Sequence, residues 1–471
     1  MLIRPTRREL LRASAALGGA AVLAAARSND PWGQARTIAA SLRRPVFPAR
    51  AFPITAFGAR GDGATLATAA IARAIAACAH AGGGRVVVPP GRFLTGAIHL
   101  RSNVELHLAR GATLLFSTDP AHYPLVRTRW EGIELINYSP LVYAYGQRNI
   151  AVTGEGTLDG QASTSHWWAW KGPWHGTVDN GWREGMPDQR PARARLMQMA
   201  EAGVPVDKRV FGDGSYLRPS FIEPYRCENV LIEGVKLRGA PFWQVHPVLC
   251  RNVTVRNLDI YGHGPNNDGC DPESCSMVLI EGCTFDTGDD CLAVKSGRNA
   301  DGRRVHVPSE DIVIRNCRMK EGHGGVTIGS EISGGARRVF AENCVMDSPN
   351  LDYALRFKNN ALRGGLLEHF YFRDIRVGEV GRAAIACDFN YEEGANGPYK
   401  PVLRHIVVER LQAAHAKRVL DSQGLPGAPV RDLRLSDCRF DGVTDPSIVR
   451  FTEDVVLDRV LVNGRPVRSL T

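Results

Sequence analysis

A short apolar motif returns along this 471-residue chain, and no other feature constrains its folding as much. The segments NVLIEGVKL (from 229), NVTVRNLDI (252), MVLIEGCTF (277) and DIVIRNCRM (311) superimpose without gaps. RVFAENCVM (338), HIVVERLQA (405), DLRLSDCRF (432) and DVVLDRVLV (454) continue the series, and FYFRDIRV near 370 fits more loosely. The marker residues are Val230, Val253, Val278, Ile312, Val339, Phe370, Ile406, Leu433 and Val455, with steps of 23, 25, 34, 27, 31, 36, 27 and 22. A period near 22–25, lengthened by loops, is one coil of a parallel β-helix. Five residues after each marker stands Val235, Leu258, Cys283, Cys317, Cys344, Ile375, Leu411, Cys438 or Val460. An apolar position repeated once per coil is what stacked, inward-facing side chains require. The 49 glycines and frequent β-branched runs suit such an all-β chain with many tight turns.

The ends differ from the middle. Residues 1–26 carry TRRELLR ahead of the apolar run ASAALGGAAVLAAA. This pattern is expected to be a twin-arginine export signal, which places the mature protein in the periplasm or outside the cell. Residues 27–49 are expected to be a linker, and 50–471 one catalytic domain. No later apolar run approaches ~18 residues, so no membrane span is expected after signal removal. A helix at 65–81 has its apolar residues at helical spacing and would cap the open end of the coil. Between about 160 and 226 the repeat is interrupted by an insertion holding five of the eight tryptophans. It is either a loop with its own small core or an aromatic wall for sugar rings. Four of the 11 cysteines fall in the inward column, where a thiol acts as a small hydrophobe. Mostly free, buried thiols are therefore expected, with a bridge at Cys270 left open. RGDG and HAGGGR lack the Lys-Ser/Thr of a phosphate loop and read as turns. No CxxC pair supports a zinc site. Of the net charge of +9, residues 1–26 supply +3. A basic exported chain suits an acidic partner. No aromatic-interleaved basic patch supports nucleic acid, and a monomer acting on an acidic polysaccharide is expected.

The chemistry gathers between Asn266 and Gly297. Laying DDCLAVKS, HGGVTIGS and ALRFKNN over one another aligns Leu292, Val326 and Leu355. Alternation then turns Ala293, Thr327 and Arg356 outward, with Lys295, Gly329 and Lys358 in the next column. Placing NNDGCDPES on the same frame stacks Asp268 under Asp290, about 4.8 Å apart. His323 falls one coil on from Asp289. Carboxylates that close raise each other's proton affinity, and paired carboxylates in a groove point to glycoside hydrolysis. Arg356 and Lys358 are placed to hold a substrate carboxylate. Lys295 is either a further carboxylate contact or a solvated lysine. His246, in WQVHP, reads as a packed histidine.

The motifs NNDGCDP, DTGDDCLAVKSG, GHGGVTIGSE and RFK, in that order on a β-coil repeat, resemble the polygalacturonases, pectin-degrading glycoside hydrolases of family 28. ITAFGARGDG and SNVELHLARGATL resemble that family's capped start, so the likeness covers roughly residues 50–460. It implies a right-handed parallel β-helix and inverting, cofactor-free and metal-free hydrolysis of α-1,4 bonds in polygalacturonate. Asp289 would be the general acid, with Asp268 and Asp290 sharing the attacking water. His323 would tune the acid or orient substrate. Arg356 and Lys358 would bind the uronate at the cleavage point. Asn267 stands where the family often has Thr, among the substrate-facing positions, and Phe357 where it often has Ile. The insertion would favour exo action by blocking one end of the groove. A rhamnogalacturonan hydrolase, a calcium-dependent pectate lyase and a non-catalytic polysaccharide-binding coil are the alternatives.

Overall fold

The computed structural model describes residues 30–176 and 178–470; the expected export signal lies outside them. The chain is a right-handed parallel β-helix. One sheet holds 13 parallel strands, from Ala51–Pro53 through Glu228–Glu233 and Ser276–Glu281 to Thr452–Asp458. Further parallel strands, among them Leu292–Val294, Gly322–Ile328 and Leu351–Lys358, complete the coils. Inward residues of both sets join one continuous apolar core.

The marker residues pair directly across neighbouring strands, from Val230 with Val253 to Leu433 with Val455. A slip of one residue would turn every inward side chain to solvent, so the repeat fixes the register. The second column is buried throughout, from Val235 to Val460. Just before each of its members the chain turns a corner in the left-handed region. The corner residues include Gly234 (φ 80°), Asn257 (54°), Gly282 (66°), Asn316 (55°), Asn343 (55°), Asp374 (53°) and Asp437 (53°). Gly, Asn and Asp tolerate that conformation best, which explains their recurrence at this point of the motif.

Four helices matter here: α1 (Pro31–Ser41), α2 (Thr68–His80), α3 (Arg190–Glu201) and α4 (Asn299–Val305). α2 buries Ala70, Ile71, Ala74, Ile75 and Cys78 over the end of the coil, as the spacing predicts. The supposed linker at 27–49 contains α1, which is not free. Its Trp32, Ala35 and Ile38 pack on the outward side chains Leu279, Val313 and Phe340. The Trp32 indole donates to Glu409 at 3.0 Å, and the Arg373 guanidinium lies 4.0 Å from its ring. All 11 cysteines are buried and free, which closes the question left at Cys270.

Two excursions leave the coil. Leu125–Trp130 and Ile133–Tyr138 form an antiparallel hairpin. The tryptophan-rich insertion carries α3, and Leu196, Phe211 and Leu217 join the hairpin's Trp130, Ile133 and Leu135 in a second small core. Trp167 is buried in the main core and meets Tyr123 and Trp170 edge to face. At least these insertion rings serve packing and are not a bare aromatic face for sugars. Because Ile312 is fully buried between Val278 and Val339, Ile312→Ala should destabilise by about 2–5 kcal/mol; a thermal midpoint equal to the unmodified protein's would show that the column does not hold the coil.

Candidate active site

Three registers assemble the site. Cys270 pairs with Leu292, Leu292 with Val326, and Val326 with Leu355. Asp268 and Asp290 stand two residues before Cys270 and Leu292, so they stack on successive coils. Gly324 holds the equivalent place on the next coil. A Cβ there would lie 2.9 Å from an Asp290 oxygen and 2.2 Å from the Thr327 hydroxyl, so glycine leaves room for the carboxylate. One oxygen each of Asp268, Asp289 and Asp290 lies within 4.8 Å of the other two. Asp268 and Asp290 are buried, whereas Asp289 is partly exposed.

Each carboxylate has a different surrounding. Asp290 accepts from Lys358 Nζ at 2.5 Å, Thr327 Oγ1 at 3.0 Å and Arg356 at 3.4 Å. Burial opposes its ionisation, but Lys358 and Arg356 prevail and hold its pKa low. Asp289 Oδ1 accepts the Asp290 backbone N–H at 2.9 Å and lies 3.0 Å from His323 Nδ1. Burial opposes its ionisation too, and the His323 charge overrides it, so its pKa lies below the ordinary carboxylate value. In return Asp289, against the cost of burial, raises His323 to about 9. Asp268 is pushed up to about 7, by burial first and then by the charge of Asp289, with Lys295 opposing. The adjacent Asp271 is pushed up as well, by burial first and then by the charge of Asp268, so the cluster retains a proton near neutrality on the Asp268–Asp271 pair and another on the His323–Asp289 pair.

The cations expected beside these acids are present. Arg356 and Lys358 project from Leu351–Lys358 toward Asp290. The Arg356 guanidinium also lies 5.0 Å from the ring of Tyr353 and 5.8 Å from that of Tyr391. Lys295 is neither solvated nor free. Its Nζ lies 3.2 Å from Glu331, 3.5 Å from Asp268 and 3.6 Å from Asp271, and 4.2 Å from the Trp243 ring centroid. It offsets acids under the ledge.

Asn267 departs from its expected role. It is fully buried, donates to the Ala240 and Phe242 carbonyls at 3.1 and 3.3 Å, and accepts from the Gly264 N–H at 3.0 Å. Its amide is consumed in shaping the turn that presents Asp268 and does not face a substrate. Arg218 completes that support, donating to the Pro265 carbonyl at 2.6 Å and to Asn266 Oδ1 at 2.8 Å. His246 is packed, as expected, between Glu223 at 3.2 Å and Glu273 at 2.8 Å. Sequence reasoning missed Trp243, Thr327, Glu331 and Tyr391. Only Thr327 carried a signal, through its place in the Ala293–Arg356 column.

The hairpin tip stands against this coil. Glu131 is bound by Arg193 at 2.8 Å and by Arg298 at 3.1 Å, and Arg298 reaches Glu331 at 3.3 Å. A Cβ on Gly132 would lie 2.7 Å from the Arg298 backbone nitrogen, so the tip touches the coil directly. Hairpin and insertion thus pack against the coil at Arg298 and Glu331, and Glu331 in turn meets Lys295 beside Asp268.

The three aspartates are also the kind of oxygen cluster that binds a divalent cation. Here the acids already have counter-charges, since Asp290 Oδ2 meets the Lys358 ammonium at 2.5 Å and Asp268 Oδ2 the Lys295 ammonium at 3.5 Å. The donor set fits a proton-handling site better than a calcium site.

Known proteins resemble this one over most of its length. The family model "Glycosyl hydrolases family 28" matches residues 212–439, and "Rhamnogalacturonase A/epimerase, pectate lyase-like" matches 51–107. A hyperthermoactive exopolygalacturonase from Thermotoga maritima is 46% identical in sequence. It superimposes with a TM-score of 0.89 over 92% of this chain and 96% of its own. A probable polygalacturonase of Vitis vinifera is 29% identical, the match covering 81% of this chain and 72% of the relative. An exo-poly-alpha-D-galacturonosidase of Dickeya chrysanthemi is 27% identical, over 72% of this chain and 57% of the relative. With an acid ledge flanked by cations on a β-helix and a relative of this identity along nearly its full length, the chain belongs to glycoside hydrolase family 28.

Proposed function

We propose that this enzyme hydrolyses α-1,4 bonds of polygalacturonate from a chain end, releasing galacturonate with inversion. The observation that carries the reading is the ledge itself: three carboxyls within 4.8 Å of one another, with Arg356 and Lys358 beside them. Asp289, the most exposed of the three, protonates the leaving oxygen, drawing on the proton it shares with His323. Asp268 and Asp290, stacked on adjacent coils, hold the water that attacks the anomeric carbon, and Asp290, kept ionised by Lys358 and Arg356, takes the proton that the water releases. The nearest oxygens are closer than the roughly 6.5–9.5 Å usual between the carboxyls of an inverting pair. Inversion is nonetheless favoured, because neither inner carboxyl is a free nucleophile. Asp290 is engaged by Lys358, Thr327 and Arg356, and Asp268 holds a proton near neutrality.

A uronate substrate is supported by the Arg356 fork and by the basic balance of the chain. Exo action is supported by the hairpin tip and insertion packed against the coil beside the ledge and by the name of the 46%-identical relative. Incubation with polygalacturonate should release monogalacturonate from the outset, in excess chelator and without ultraviolet-absorbing product. Proton NMR should show the β-anomer first. Early mixed oligomers would exclude exo action, an α-anomer would exclude inversion, and unsaturated products would indicate a lyase. Asp289→Asn should lower kcat by about 10²–10⁴-fold while binding persists.

The protonation of Asp268 also has a stability sign. Its pKa is raised from 3.8 to about 7 on folding, so the folded state loses stability as pH rises through that window. Asp268→Asn should be inactive yet melt higher than the unmodified enzyme at pH 8, with the gap closing toward pH 4. A variant less stable at pH 8 would show that Lys295 outweighs the acidic neighbours.

Residues 1–26 are proposed to direct twin-arginine export. Arg7→Lys with Arg8→Lys should retain the protein in the cytoplasm, and unchanged export on cell fractionation would reject that route.

A further inference from the structure

The tryptophan-rich insertion carries one cation, on a turn anchored beside the ledge, that the mechanism above leaves unused. Lys171 ends the short turn Trp168–Lys171. That turn shares an anchor with the catalytic coil: the Ala240 carbonyl accepts both the Trp168 indole N–H, at 3.0 Å, and the Asn267 amide that shapes the Asp268 turn, at 3.1 Å. Trp168 also lies flush on Gly264, where a Cβ would fall 2.2 Å from the indole. Asn180 ties the turn from its other side, donating to the Trp168 and Gly172 carbonyls at 3.3 and 2.8 Å.

Lys171 is partly buried, yet among the described residues its ammonium makes no hydrogen bond or salt bridge. The ammonium lies over the Trp174 ring, 5.8 Å from its centroid. Burial lowers its pKa, and the charges that act on it are Glu131 at the hairpin tip, Arg218, Arg193 and Asp289. The other lysines of the ledge are committed, Lys358 to Asp290 and Lys295 to Asp268, Asp271 and Glu331. A half-desolvated ammonium without a counter-ion, fixed within the field of the general acid, is a prepared site for an anion.

We propose that Lys171 binds the carboxylate of the terminal galacturonate at the insertion side of the ledge, leaving Arg356 to the unit across the scissile bond. The inference rests on the galacturonan reading and gives it a specificity-determining residue outside the coil. Lys171→Gln should raise KM for di- and trigalacturonate about ten-fold. Its kcat should stay within about two-fold, as expected when binding is lost equally from ground and transition states. Inhibition by free galacturonate should weaken in parallel, Lys171→Arg should restore KM, and the thermal midpoint should not move, because no ion pair is broken. An unchanged KM, equal loss in the arginine variant, or a fall in the thermal midpoint accompanying the KM change would each overturn the assignment. Failure of the unmodified enzyme to release galacturonate would instead overturn the functional reading, whatever the Lys171 variants do.

Discussion

Backbone pairing between successive coils sets strand spacing at about 4.8 Å, and the active site is built against the electrostatic cost of that spacing. The register that seats Cys270 beside Leu292 also puts Asp268 beside Asp290. Two buried carboxylates at that distance cannot both ionise without compensation. Lys358, Arg356 and Thr327 stabilise one, and the other retains a proton through burial and the field of its acidic neighbours. The apolar columns fix the backbone firmly enough to hold this arrangement, which a looser scaffold would relieve by moving the acids apart. Stability of the coil and reactivity of the ledge therefore come from the same hydrogen-bonded ladder.

The ladder was legible in the sequence because each coil repeats the same local demands. An inward marker, a left-handed corner and a second inward residue leave a pattern of a mostly β-branched residue, then usually Gly, Asn or Asp (Arg at 410 and 459), then Cys, Leu, Ile or Val. The markers Val230 to Val455 recur at one place in the motif, and their pairing across the strands follows that recurrence. Asp268, Asp290 and Arg356 could be placed because they ride on this frame. What the frame does not carry was harder to read. α1 looks like a linker because its partners Leu279, Val313 and Phe340 are more than 200 residues away and face outward, where apolar residues usually signal nothing. The hairpin at 125–138 stands outside the repeat and left no periodic trace.

Polar side chains were misjudged for a related reason. Asn267 and Lys295 occupy motif positions next to reactive residues, and motif position says nothing of where an amide or ammonium finds its partners. Asn267 is spent on three backbone groups. Lys295 lies under the ledge because Asp271 and Glu331, distant from each other in sequence, converge on it with Asp268. An outward column on a β-strand is exposed only if nothing covers it, and here the Trp243 ring lies over the Lys295 ammonium at 4.2 Å.

Burial and distance from Asp290 separate two cations that the sequence treats alike. Lys358 is buried with its ammonium 2.5 Å from Asp290, a geometry that leaves little capacity for a second anion. Arg356 stands further off, at 3.4 Å, with aromatic rings beside its guanidinium and, among the described residues, donors of its planar fork without a partner. Under the proposed function, a uronate carboxylate approaching the ledge would be drawn to Arg356, while Lys358 keeps Asp290 ionised. Substrate recognition and activation of the attacking water would then be divided between neighbouring outward positions of one strand, coupled by the charge on Asp290.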